Sequence, residues 1–174
     1  MRKAQLIIIF TILLGGTAYF GHSMQKDNTV PQLVSDAPGT LPDFTLSDIA
    51  GKSSSIHELA GNKPTLFIYF NSTCHLCQEE LGSLSKRIDE FEDYSIILTT
   101  VQPLDEMIDF ANSLRIKEKE NVHFLLDSNM EVATYLQVRS VPSIYCYDSE
   151  KQLVADYVGI TKLDLLLEKL ESGS

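Results

Sequence analysis

The pattern of apolar and polar positions divides the chain into an apolar N-terminal run, a polar stretch without periodicity, and a long region of alternating strand and helix patterns. Residues 64–70 form a continuous apolar run of strand length, which is typical of a strand covered on both faces. A helix should follow this strand, because apolar residues then recur at spacings of four, three, four and three, which mark one helix face. These residues are Cys77, Leu81, Leu84, Ile88 and Phe91.

The rest of this region contains further strands and helices in a mixed order. Residues 44–46 and 53–56 predict a short hairpin with its turn at Ala50 and Gly51. Further strand patterns lie at residues 95–101, 122–126, 143–147 and 153–158. Helix patterns lie at residues 104–114, 130–136 and 163–170. Thr161 is expected to cap the last helix. Strand–helix–strand first and a hairpin plus helix last predict a three-layer α/β domain around a mixed sheet.

The N-terminal run has the pattern of an export signal, a basic start followed by an apolar segment. Arg2 and Lys3 precede 17 uncharged residues at 4–20, which is the lower limit of the roughly 17 to 25 residues that cross a bilayer as a helix. A cleaved signal peptide and an uncleaved anchor both fit this length. The small-residue cleavage pattern is poor at residues 18–20, which favours an anchor with its basic residues on the cytoplasmic side. We predict that the protein is exported, either to the outer face of the cytoplasmic membrane or to the periplasm.

These patterns predict three regions: a signal peptide or membrane anchor at residues 1–23, a linker at 24–40 and one folded domain at 41–174. Hydrophobic residues make up 44% of the 174 residues and charged residues 22%, which excludes disorder of the whole chain. The net charge is −10; without Arg2 and Lys3 it becomes −12, from 12 basic and 24 acidic side chains. Nucleic acid binding requires clusters of Lys and Arg, and the sequence contains none, so we exclude it.

The chemistry of the chain is predicted from a cysteine pair. Cys74-His75-Leu76-Cys77 lies where the central strand ends and the amphipathic helix begins, a spacing that allows a disulfide. Cys77 belongs to the apolar helix face, whereas Cys74 lies at or before the first turn, among backbone N–H groups that favour a thiolate. We therefore predict that Cys74 is the nucleophile and that Cys77 is the resolving thiol.

Neighbouring residues bear on this prediction. His75 would add positive charge beside Cys74 and make the disulfide more oxidising, although an exposed loop residue without that role explains it equally well. Glu79 and Glu80 act in the opposite sense and are better explained as first-turn carboxylates that stabilise the helix. Cys146, in a later strand, is interpreted as a small buried hydrophobic residue.

Three other interpretations of the cysteine pair are weaker. A structural disulfide that closes only two intervening residues stabilises little. A zinc site needs two further ligands, and Cys146, His57 and His123 have no ligand spacing. A peroxide-reducing site needs Pro and Thr or Ser at set positions before the nucleophile, where this chain has Phe67 and Asn71. Disulfide exchange is therefore favoured.

Taken together, these residues resemble the thioredoxin-like superfamily, in particular the membrane-anchored thiol-disulfide oxidoreductases of the TlpA and ResA type. Residues 42–48 with Gly51 and Lys52 look like the added N-terminal hairpin of that subgroup, and residues 138–143 look like its cis-proline signature. The resemblance implies a thioredoxin fold, an attacking Cys74 and a resolving Cys77. It also implies a Val141-Pro142 loop whose backbone pairs with an extended substrate strand.

The chain departs from the family pattern at three places. Thr73 stands where the family usually has Trp, and His75-Leu76 matches neither thioredoxin nor the strong oxidant DsbA, so the direction of electron flow stays open. Ile68 stands where thioredoxin has the buried Asp that accepts a proton from the resolving thiol, which leaves the base for Cys77 unassigned.

The sequence thus predicts an extracytoplasmic thiol-disulfide oxidoreductase that acts on protein thiols and disulfides, more as a reductant than as an oxidant. We expect a membrane protein as its electron donor or acceptor, membrane attachment through the N-terminal segment, a monomer, no cofactor and no metal. The alternatives are a thioredoxin-fold binding or redox-switch module without catalysis and, less favoured, a peroxide-reducing enzyme.

Overall fold

A seven-stranded mixed sheet forms the centre of residues 37–173, the part of the chain that the computed structural model describes. The strands are β1 (Thr45–Asp48), β2 (Ser53–Ser55), β3 (Thr65–Tyr69), β4 (Ser95–Thr100), β5 (Val122–Leu126), β6 (Ser143–Tyr147) and β7 (Leu153–Val158). The helices of this part are α1 (Ile56–Ala60), α2 (His75–Lys86), α3 (Leu104–Leu114), α4 (Glu131–Tyr135) and α5 (Leu163–Ser172), with a 3₁₀ turn at Ile88–Phe91.

The strands are ordered β2-β1-β5-β4-β3-β6-β7, with β3, β4 and β5 parallel to one another. Strand β6 runs antiparallel to β3, and β7 runs antiparallel to β6. Because parallel strands end on the same side of a sheet, β3, β4 and β5 finish at one edge, which we call the C-terminal edge. The loop before β6 reaches the same edge, so the segments that follow β3 and precede β6 meet there.

Helices cover both faces of the sheet, as predicted from the apolar central strand. The first face carries Leu66 and Ile68 of β3 and packs against α2, α3 and α5. The second face carries Phe67 and Tyr69 and packs against α1 and α4. All five residues of β3 are buried, which explains why its sequence is continuously apolar instead of alternating. The predicted three-layer α/β architecture is confirmed.

The added N-terminal hairpin is also confirmed, with β1 antiparallel to β2. Gly51 has a φ of 78°, which a residue without a Cβ adopts readily, and it closes the turn by donating its N–H to Asp48 O at 3.0 Å. The second strand is shorter than predicted, because Ser55 caps α1. Its hydroxyl accepts hydrogen bonds from the N–H groups of His57 and Glu58, while the Glu58 carboxylate accepts from Ser55 N–H.

Two predicted element boundaries are wrong. The helix that begins after Cys74 ends at Lys86, and the apolar period continues into a separate 3₁₀ turn in which Ile88 and Phe91 are buried. Thr161 does not cap the last helix, since α5 begins at Leu163 and its N-cap is Lys162. Thr161 is buried instead, and its N–H donates to a carboxylate on another helix. Thr161 therefore contacts α2, a part of the chain that is distant in sequence.

The predicted signal peptide or anchor at residues 1–23 lies outside the described residues, as does most of the linker predicted at 24–40. Within residues 37–173, no helix has the length and apolar character needed to cross a membrane.

Candidate active site

The two cysteines lie at the C-terminal edge, where β3 leads into α2. Cys74 is the N-cap residue of α2 and is half-buried, whereas Cys77 is 0% exposed. Cys77 is buried because it starts the inner face of the helix, which continues through Leu81 and Leu84. Both cysteines are free thiols. The structure therefore places the accessible sulfur of Cys74 at the start of α2 and the buried sulfur of Cys77 on its inner face, as expected from the helical period.

The start of α2 favours a thiolate at Cys74. The backbone N–H of Cys77 makes the largest contribution to lowering the pKa of Cys74, and the Cys77 thiol and the Leu76 N–H lower it further against the opposing effect of burial. When protonated, the Cys74 thiol donates to Val141 O at 3.6 Å. Cys74 thus has the lowered pKa and the access that a nucleophilic thiol needs.

Cys77 has the opposite environment. The pKa of its thiol is raised to about 12, mainly by burial; the sulfur of Cys74 and the charge of Glu80 act in the same direction, and the Asn71 N–H opposes them. That N–H donates to the Cys77 sulfur at 3.5 Å. At neutral pH Cys77 is therefore a thiol, and it can act as a nucleophile only if a base removes its proton.

Glu80 is a candidate functional residue that the sequence interpretation missed. Helix α2 begins at His75, so Glu80 lies in the second turn and is 1% exposed, and the interpretation as a first-turn carboxylate is wrong. Burial raises the pKa of its carboxyl to about 7, against the effect of the Thr161 N–H, which donates to Oε2 at 2.9 Å. No described residue hydrogen-bonds to Glu80 Oε1, which is buried. The usable signal was its spacing, since Glu80 follows Cys77 by three residues on the inner face.

The loop before β6 brings a backbone carbonyl to the cysteines. The Val141-Pro142 peptide bond is cis, Val141 is half-buried and Pro142 is buried. The Pro142 carbonyl accepts the Gly159 N–H at 2.9 Å, whereas the Val141 carbonyl is directed at the Cys74 sulfur. The structure therefore brings the Val141 carbonyl of the cis Val141-Pro142 peptide to Cys74.

His75 and Cys146 lie differently. His75 is the first residue of α2 and is exposed. Cys146 is 0% exposed within the sheet, where it pairs with Leu66 of β3 and Ala155 of β7. Burial raises the pKa of its thiol to about 12. Cys146 is thus a buried apolar residue of the first face, in agreement with its interpretation from the sequence.

A metal site is not apparent in the described part of the chain. No three or more His, Cys, Asp or Glu side chains between residues 37 and 173 are grouped so that they could hold a metal ion. His57 lies 3.6 Å from Asp43 and its Nε2 is 2.9 Å from Leu41 O, which is a local contact of the N-terminal hairpin.

Comparison with known proteins assigns the chain to a family. The AhpC/TSA family profile matches residues 39–156, which is more than half of the chain. Thiol-disulfide oxidoreductase YkuV of Bacillus subtilis is 28% identical over 101 residues, which cover 55% of this chain and 67% of YkuV. Thioredoxin-like protein YneN of the same organism is 25% identical over 177 residues, which cover 98% of this chain and 99% of YneN.

Solved structures with the same fold include enzymes of two kinds. Peroxidoxin BcpB from Mycobacterium tuberculosis matches with a TM-score of 0.67 and 18% identity, over 78% of this chain and 97% of that protein. A secreted disulfide oxidoreductase from the same organism, homologous to DsbE of E. coli, matches with a TM-score of 0.63 and 17% identity, over 75% and 96%. At these identities the likeness shows the thioredoxin-like fold and does not distinguish the two chemistries.

The residues before Cys74 bear on that distinction. Asn71 and Phe67 occupy the positions where a peroxide-reducing site needs a polar hydroxyl and a proline, and Phe67 is fully buried in β3. The profile match and the relative YkuV both point to thiol chemistry. The chain therefore belongs to the AhpC/TSA family and is a thioredoxin-like thiol-disulfide oxidoreductase.

Proposed function

We propose that the protein reduces disulfides in exported proteins through Cys74 and Cys77, on the outer side of the cytoplasmic membrane. The observation that carries this proposal is the asymmetry of the pair. Cys74 is accessible and has a lowered pKa, whereas Cys77 is buried and its pKa is raised to about 12. Such a pair attacks a substrate in a defined order, because only one sulfur is both reachable and more easily ionised than an ordinary thiol.

The cycle has two exchange steps. The Cys74 thiolate attacks one sulfur of the substrate disulfide, the substrate S–S bond breaks, and the released substrate thiolate takes up a proton. A mixed disulfide now joins Cys74 to the substrate. Cys77 then loses its proton and attacks the Cys74 sulfur, which releases the second substrate thiol and closes the Cys74–Cys77 disulfide. Two electrons have moved to the substrate, and an electron donor must return them to the pair.

Glu80 is the proposed proton acceptor for Cys77. The carboxyl is buried one helical turn after the thiol, Oε1 has no hydrogen-bond partner among the described residues, and the pKa of about 7 suits proton transfer near neutral pH. In the second step the Cys77 proton passes to the Glu80 carboxylate as the sulfur attacks. Glu80 would thereby replace the buried Asp of thioredoxin, whose position in this chain is occupied by Ile68.

The thiol pKa values bear on the direction of electron flow. Cys77 stays protonated near neutral pH, so its ionisation adds no stabilisation to the reduced pair, which is compatible with a reducing role. The lowered pKa of Cys74 acts in the oxidising direction. We assign the protein as a reductant, the more typical role in the TlpA and ResA type, and the reduction potential decides between the directions. A reduction potential of about −270 mV supports a reductant, and one of about −120 mV indicates an oxidant.

The proposed location rests on the N-terminal sequence. Arg2 and Lys3 followed by 17 uncharged residues favour membrane attachment with the domain exported. A solved relative by fold is described as secreted. At that location the electron donor would be a membrane protein. We propose that the enzyme acts as a monomer, with Val141 and Pro142 contacting an extended substrate segment.

Trapping of partners tests the function. In a full-length Cys77→Ala variant the mixed disulfide cannot resolve, so substrates should stay joined to Cys74 and be released by a reductant. The matched control is the Cys74→Ser, Cys77→Ala double variant, which should trap nothing. Insulin reduction gives the second readout. Turnover no higher than that of Cys74→Ser would mean that the protein is a non-catalytic thioredoxin-fold module.

A further inference from the structure

Two glutamine side chains hold Ser72, the residue two positions before Cys74. The Ser72 N–H donates to Gln102 Oε1, and the Ser72 carbonyl accepts from Gln78 Nε2 at 2.8 Å. Gln78 belongs to α2 itself, but Gln102 lies between β4 and α3 and is 8% exposed. Gln102 therefore contacts the active-site loop from a different segment of the chain, the buried connection between β4 and α3.

The contact requires an amide. Besides accepting from Ser72 N–H, the side chain of Gln102 donates from Nε2 to Glu106 Oε2 at 2.6 Å, in the first turn of α3. One end of the side chain must thus offer an acceptor and a donor at the same time. Glutamine does so without charge, whereas Glu at this position would face the Glu106 carboxylate with a second negative charge, and Lys would offer donors alone.

The peptide group that Gln102 holds also contacts Cys74. A peptide bond is planar, so the N–H of Ser72 and the carbonyl of Asn71 move as one unit. That Asn71 carbonyl accepts the Cys74 N–H at 3.1 Å, and the Asn71 N–H on its other side donates to the Cys77 sulfur at 3.5 Å. The orientation of the Asn71–Ser72 peptide group therefore bears directly on the position of Cys74, and the adjoining Phe70–Asn71 peptide contacts the sulfur of Cys77.

We propose that Gln102 is a positioning residue of the dithiol site: by linking the Asn71–Ser72 peptide to Glu106, it holds Cys74 at the N-cap of α2, where the N–H groups of Leu76 and Cys77 meet its sulfur. This inference rests on the proposed role of Cys74 as nucleophile. Without the amide, the loop loses its tie to α3, and those N–H groups lose their alignment on the Cys74 sulfur.

The test is the pH profile of Cys74 alkylation by iodoacetamide in the full-length protein, with the site identified by mass spectrometry. We expect Gln102→Leu to raise the apparent pKa of Cys74 by roughly half a unit to one unit, which slows alkylation near pH 6 by about three- to tenfold. Glu106→Ala should shift the profile in the same direction. Glu106→Gln keeps an acceptor for Gln102 Nε2 and should restore the wild-type profile.

The matched control is Asn121→Ala. The amide of Asn121 also ties chain segments together, by donating to Phe91 O and Tyr94 O at 2.9 Å each, but it lies at the start of β5, away from the C-terminal edge. The Asn121→Ala substitution should lower the free energy of unfolding and leave the pH profile of Cys74 alkylation unchanged. An equal shift in Asn121→Ala and Gln102→Leu would overturn the proposal, because both would then act through general loosening.

Amide hydrogen exchange of the wild-type protein gives a test that needs no variant to fold. The Ser72 N–H should be protected, since Gln102 accepts its hydrogen bond. Exchange at the rate of an unprotected loop amide would overturn the positioning role. Neither readout depends on turnover, so insulin reduction by the wild type, compared with Cys74→Ser, separates a failure of this inference from a failure of the proposed function.

Discussion

The Glu80 carboxyl and the Cys77 thiol lie one helical turn apart on the buried face of α2, and each is harder to ionise than in water. Burial is the main cause for both groups, and the charge of Glu80 adds to the raised pKa of Cys77. Because the charge of Glu80 disfavours the Cys77 thiolate, transfer of the Cys77 proton to Glu80 removes that charge as the sulfur becomes a nucleophile. This relationship underlies two of the predictions below.

The first prediction concerns the order of thiol reactivity. In the reduced full-length protein, iodoacetamide near pH 7 should label Cys74 at least about 100-fold faster than Cys77, because thiolate content and access both favour Cys74. Mass spectrometry of peptides after short labelling measures the ratio. Cys74→Ser should not make Cys77 reactive on the same time scale. Comparable labelling of the two sulfurs in the wild type would contradict the assignment.

The second prediction concerns resolution of the mixed disulfide. Replacing the proposed base by an amide, Glu80→Gln, should lengthen the lifetime of the Cys74 mixed disulfide by roughly 100-fold, a typical contribution of a positioned base. Stopped reactions with a small disulfide substrate, followed by mass spectrometry, measure this lifetime. The initial attack by Cys74 should be much less affected. A lifetime equal to that of the wild type would remove Glu80 from the mechanism.

The third prediction is a stability change with pH. Folded Glu80 keeps its proton up to about pH 7, whereas in the unfolded chain it ionises near the ordinary carboxyl value of about 4.3. Between these values the folded state binds more protons, so the free energy of unfolding should fall as pH rises, by up to about 3 kcal/mol. Above about pH 7 this contribution becomes constant.

Urea unfolding of Glu80→Gln between about pH 4 and pH 8 checks this dependence. The variant should lack most of the decline, whereas the same substitution at the exposed Glu120 should retain it. If the stability of the wild-type protein rises over this range and the Glu80→Gln substitution does not change that pH dependence, the Glu80 carboxyl ionises normally in the folded protein.

The fourth prediction compares two leucines of α2. Leu84 is 0% exposed on the first face, and Leu84→Ala should lower the free energy of unfolding by about 2–5 kcal/mol. Leu76, between the cysteines, is 45% exposed, and Leu76→Ala should change stability by no more than about 0.5 kcal/mol. Denaturant unfolding measures both. Equal losses would mean that α2 packs in a different orientation.

The fifth prediction concerns the third cysteine. Because Cys146 is fully buried between Leu66 and Ala155, Cys146→Ala should leave insulin reduction unchanged and lower stability by about 1 kcal/mol. Cys146→Ser should destabilise more, since it buries a hydroxyl in an apolar environment. Loss of turnover in a folded Cys146→Ala protein would assign this thiol a redox role.

Local pattern was enough to predict most of the elements and the position of the cysteine pair. The continuous apolar run of β3 and the period of three and four after it depend on residues close in sequence, and they placed Cys77 on a buried helix face and Cys74 at its start. The hairpin, the strands and the three layers followed from the same kind of signal.

The contacts that complete the site were not predictable in this way, because they join residues distant in the chain. Thr161 and Glu80 are 81 positions apart, and their hydrogen bond gives one oxygen of the buried carboxylate a donor. Gln102 lies 30 positions after Ser72 and reaches it only because β3 and β4 are parallel neighbours that end at the same edge.

The strand pattern by itself determined that Tyr145 and Tyr147 share a face and that Cys146 points the other way. Only the pairing of β6 with β3 decided which face is which: Tyr145 is opposite Phe67 on the second face, and Cys146 is opposite Leu66 on the first face with Cys77. Alternation of side chains along a strand is a local consequence of backbone geometry. The register of a strand against its neighbour depends instead on how the whole sheet packs.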